Sequence, residues 1–133
     1  VSNFVKLMPL YQQSKTSIVT ETIYADHPGI ITEKTLLAIA AKHPFMCIGH
    51  QGIHCEIAQR GFQLFNNVFD LSYDNLPAEQ RLDTALHLNW ERITDSEWDV
   101  DAAQENAEYN FDFLMNDYAE SIEQRCLAQL KSC

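Results

Sequence analysis

From Thr16 to Tyr24 the chain alternates β-branched and polar side chains, a period-2 pattern that predicts a strand, with residues 4–8 as its partner. Asp26-His27-Pro28-Gly29 follows as a turn, and Thr32 stands where an N-cap would open a helix over about 33–42. Leu36, Ile39, Ala40 and His43 would share one face of that helix, which Pro44 closes. Residues 51–69 are apolar nearly all round, through Ile57, Phe62, Leu64, Phe65, Val68 and Phe69, and predict a central helix.

A third helix opens at Asp74 or Asn75 with Pro77 in its first turn. Leu82, Ala85, Leu86, Asn89 and Ile93 recur at helical spacing up to Thr94, and Trp90 is assigned to the core. The last and longest helix runs from Ser96 or Asp99 to Leu130, burying Ala103, Ala107, Phe111, Leu114, Tyr118 and Ile122. These elements make a mainly α fold (α+β as the alternative), a four-helix bundle-like domain with a small N-terminal β element. Residues 1–30 form the β or irregular element and 31–133 the helical part of a single globular domain, a size that suits 133 residues.

Composition adds a charge asymmetry. Of nineteen acids and nine bases, residues 1–69 carry four acids and five bases, whereas 70–133 carry fifteen acids and four bases. A net charge of −10 disfavours direct nucleic-acid contact and anionic membrane surfaces. The longest apolar run, Leu36 to Ala41, is six residues, too short for a transmembrane helix, and no signal peptide is visible. Cys47, Cys55, Cys126 and Cys133 lack C-x-x-C spacing and read as thiols of a cytoplasmic protein, with periplasmic or secreted export and oxidised pairing as the alternative.

The densest candidate chemistry lies between His43 and Glu56, where six potential metal ligands fall within fourteen residues. Cys47, His50 and His54 are the candidates for a small zinc site, but no second ligand pair with zinc spacing follows. The competing reading makes Cys47 and Cys55 small core residues and has the histidines satisfy loop carbonyls. His54-Cys55-Glu56 fits half of a zinc deaminase signature whose P-C-x-x-C half is absent. Phosphate-binding glycine patterns and G-x-S-x-G are absent too, so the expectation is a non-enzyme with no catalytic residues and no cofactor.

Asp101, Glu105, Glu108 and Asp112 follow at steps of 4, 3 and 4. On a helix they fall within about 60° of arc and make a carboxylate row about 16 Å long. Tyr109 and Phe113 flank it on the side away from the expected core, Trp98 lies near the helix start, and acids beside exposed aromatics suit a protein interface. The expectation is therefore an acidic protein-binding module, an inhibitor or immunity-type protein. It would occupy the basic site of a partner such as a nucleic-acid-acting toxin or defence enzyme, through Trp98, Asp101, Glu105, Glu108, Tyr109, Asp112 and Phe113. A helical subunit of a homo-oligomer, such as a homodimer buried through the same aromatics, is the other alternative.

Overall fold

The computed structural model describes residues 2–22, 24–26, 30–95 and 101–132. Among them the order is α1 (Ser2–Gln13), β1 (Ser17–Thr20), α2 (Glu33–Ala40), β2 (Phe45–Ile48), α3 (Ile53–Gln59), a 3-10 turn (Ser72–Asn75), α4 (Ala78–Thr94), α5 (Asp101–Asn116) and α6 (Tyr118–Ser132). The fold is mainly α with one small sheet near the N-terminus, as the periodicity predicts.

The sheet differs from the expected one. The partner of β1 is β2, parallel and in register from Ser17 with Phe45 to Thr20 with Ile48, while residues 4–8 belong to α1. A parallel pair needs a crossover, and α2 supplies it. All four residues of β2 are buried, the continuous apolar signature of a strand covered on both faces. Two strands alone are marginal, and β2 must also satisfy the edge that β1 does not reach. Side chains do this. His54 Nε2 accepts from the Cys47 N–H at 3.1 Å, and the Tyr73 hydroxyl donates to the Cys47 carbonyl at 2.6 Å.

The predicted helix over 51–69 stops at Gln59. Arg60 is its C-cap and Gly61 follows at φ +106°, a left-handed conformation that favours glycine. The next segment is irregular chain that buries Phe62, Phe65, Val68 and Phe69 and exposes Gln63, Asn66 and Asn67, and two buried asparagines replace its missing ladder. Asn110 accepts from the Gln63 N–H at 2.7 Å and donates to the Gln63 carbonyl at 2.9 Å; Asn89 does the same for Asp70 at 2.7 and 2.9 Å. Phe62, Phe65, Val68 and Phe69 can thus enter the core without leaving those two backbone units unpaired.

Glu21 is a buried carboxylate at the opening of α2. It accepts from the Thr32 and Thr35 hydroxyls and from the Thr32 N–H at 3.2 Å. Burial pushes its pKa up, but these donors outweigh burial and hold it below the usual carboxylate value. A lowered folded pKa adds stability above the unfolded value, about 4.3, that is lost as pH falls through the folded one. Glu21→Gln should therefore lower unfolding stability by about 2 kcal/mol at pH 7. Urea titrations should show the gap between wild type and variant closing towards pH 3; a gap constant with pH would contradict this role.

Candidate functional site

The acidic row lies on α5. Its inward face is Ala103, Ala107 and Asn110, all buried, and the small alanines let the helix lie close against its neighbours. Asn67 donates to the Ala102 carbonyl at 2.8 Å and Asn106 to the Leu64 carbonyl at 3.1 Å, so the buried loop fixes the helix rotation at several points. With that rotation set, Asp101, Glu105, Glu108 and Asp112 are all exposed, about 180° around the helix from the buried residues. Among the described residues no Lys, Arg or His pairs with Glu105, Glu108 or Asp112.

The flanking aromatics divide. Tyr109 is 46% exposed and its ring lies parallel to that of Phe113 at 6.3 Å. Phe113, expected on the outer side, is instead half-buried. It packs edge-on to Phe62 at 5.1 Å and against Tyr118 at 6.1 Å, over the space that a Gly61 side chain would fill. Phe113 therefore supports Tyr109 from beneath. Trp98 lies outside the described residues. Trp90, expected in the core, is 59% exposed on α4; it follows the buried Asn89 by one residue, and 100° of helix rotation carries it out of the core.

The His/Cys cluster is dispersed into separate structural tasks. Cys47 sits in β2 with its thiol 3.5 Å from the Thr35 hydroxyl. His54 lies beneath that strand, accepting at Nε2, with Nδ1 3.2 Å from Asp74 Oδ1. His50 Nε2 contacts Glu56 at 3.1 Å, and Glu56 pairs onward to Arg60 at 2.7 Å. His43 ties the Ser17 hydroxyl at 2.6 Å to the Ser14 carbonyl at 2.7 Å. Among the described residues no group of three His, Cys, Asp or Glu side chains could hold a metal ion, so Cys47, His50 and His54 are not brought together as ligands.

Cys55, expected as a core residue, is exposed instead. It lines a cleft of about 700 Å³ between α3 and α6, with Cys126 on the opposite wall and Arg60 and Arg125 beside them. Cys47 is fully buried, and burial pushes its thiol up to about 12, so it lacks both access and a thiolate near neutrality. In a Cys133→Ser chain, an Ellman titration of the folded protein should count two fast thiols and a third only after unfolding. Three fast thiols would contradict the buried strand.

No family model, curated protein or solved structure matches this chain. Among the described residues, no helix is long and apolar enough to cross a membrane.

Proposed function

We propose that this chain is an acidic protein-binding module of inhibitor or immunity type, whose α5 carboxylates occupy the basic site of a partner such as a nucleic-acid-acting toxin or defence enzyme. The observation that carries the reading is the exposure of Asp101, Glu105, Glu108 and Asp112 on one helix face, with no described cation paired to the last three. A basic cleft shaped for phosphates offers Lys and Arg at close spacing. Carboxylates stepping about 6, 4.5 and 6 Å along a rigid helix can meet them as charge-assisted hydrogen bonds.

Tyr109 supplies apolar contact beside the charges, Phe113 holds its ring in place, and Trp98 belongs to the same proposed surface by sequence. Long-range attraction would bring the partner in, and desolvated contacts around Tyr109 would hold it. The proposed compartment is the cytoplasm, in keeping with unpaired Cys47, Cys55 and Cys126. The test begins with capture of the partner from the native host, followed by its affinity as salt rises from about 50 to about 500 mM. Affinity should fall on the order of 100-fold. Affinity independent of salt would refute the reading.

A further inference from the structure

We infer that the outward face of α4 docks a cationic amphipathic segment of the partner, a conclusion that rests on the reading of this chain as a binder of basic proteins. Arg81, Ala85 and Asn89 repeat at i, i+4 and i+8 and are buried. Leu82, Leu86 and Trp90 follow each of them by one residue, so they form a parallel row about 12 Å long, rotated about 100° from the core. Trp90 is 59% exposed, Leu82 is 43% exposed and Leu86 is half-buried. Leu86, His87, Trp90 and Glu91 frame a shallow hollow of about 410 Å³ that a partner's side chain could enter. An exposed tryptophan beside leucines on one rigid helix is the composition of an interface hot spot.

Charge selects the occupant. Glu79 lies at the N-terminal end of the row and Asp83 and Glu91 on its solvent side, all exposed and none in a described ion pair. Of the two arginines on α4, Arg81 points inward to Asp26 and backbone carbonyls, and Arg92 lines a second hollow with Asp70, Leu88 and Glu91, so Glu79 and Asp83 carry the acidic border. An apolar row bordered by acids complements an apolar stripe bordered by Lys or Arg. A second copy of the chain is disfavoured, because face-to-face packing would bring acids against acids.

The test uses a fluorescein-labelled helical peptide of Leu and Lys, with Lys bordering one apolar stripe, and reads binding by anisotropy at 100 mM salt. Trp90→Ala and Asp83→Lys, both at exposed positions, should each weaken binding about 10-fold with circular dichroism unchanged. Glu123→Gln, an exposed position on α6, should stay within about 3-fold of wild type. Any one of four results overturns the inference: no binding of the peptide, full affinity in Trp90→Ala, equal binding of a Lys/Ser peptide that lacks the apolar stripe, or a wild-type dimer that Trp90→Ala makes monomeric. Full affinity of Trp90→Ala for the peptide would remove the α4 face while leaving the α5 reading intact. Salt-independent binding of the natural partner would instead remove the α5 reading.

Discussion

Replacing Arg81 with methionine is expected to destabilise the protein by about 3–5 kcal/mol, a large part of the roughly 5–15 kcal/mol that holds a typical domain folded. The guanidinium is 1% exposed and all five of its N–H donors are in use. Nε and Nη2 both donate to the Gly49 carbonyl at 3.1 and 2.9 Å, and Nη2 reaches the Ala25 carbonyl at 2.7 Å. Nη1 donates to the Leu76 carbonyl at 2.7 Å and to Asp26 at 3.0 Å. One side chain thus fastens three separated stretches of backbone, after β1, after β2 and before α4. Asp26 in turn accepts from the Ala78 N–H at 2.6 Å, closing the first turn of α4.

Methionine fills similar volume but leaves these carbonyls without that donor, so the loss is of polar partners rather than of packing. Arg81→Lys keeps the charge but has three donors for five positions and should fall between methionine and wild type. Chemical denaturation of the three proteins would show the order Arg, Lys, Met. Equal stability of Met and Arg would mean that water serves the carbonyls as well. Either way Arg81 is committed to Asp26 and does not neutralise the α5 acids.

Reversing Glu105 and Glu108 together to Lys should move affinity and stability in opposite directions. Each reversal exchanges an attraction for a repulsion at the partner's cations, at least ~1.5 kcal/mol apiece, so affinity should drop on the order of 100-fold or more. Within α5 the same change relieves the like-charged pairs of Asp101 with Glu105 and Glu108 with Asp112, both at i, i+4. The new Asp–Lys pairs should raise stability by up to about 1 kcal/mol. A merely solubilising acidic face predicts no loss of affinity, and a structural one predicts loss of stability. Isothermal calorimetry with the isolated partner and thermal unfolding of the free chain separate the three.

The helices over 33–40, 78–94 and 101–116 are legible because each buries one face on a 3.6-residue period, whereas among the described residues of α6 only Tyr118 is buried and Ile122, expected in the buried stripe, is 42% exposed. Thr32 caps α2 as its position suggests, accepting from the Lys34 N–H. The extent of α3 is not legible, since Phe62, Phe65, Val68 and Phe69 are buried at spacings that a loop and a helix can both supply. What distinguishes them is the pairing of Gln63 and Asp70 with Asn110 and Asn89, a contact set by the tertiary fold. β2 is hidden in the same way, inside a run that reads as metal chemistry until His54 is seen accepting from its backbone.

At the proposed site, the acidic face follows from spacing alone and stands exposed. Phe113 and Trp90 exchange their expected environments because each lies near the border of an apolar stripe, where about 100° of rotation decides between core and solvent.

The most direct measurement of the central claim is the salt dependence of partner affinity for wild type beside Glu105→Gln/Glu108→Gln. If those carboxylates make the contacts, the neutral variant should bind more weakly at 50 mM salt and lose its disadvantage towards 500 mM, with a visibly shallower slope. Two parallel lines, equally steep and equally tight, would show that the partner never meets the α5 row.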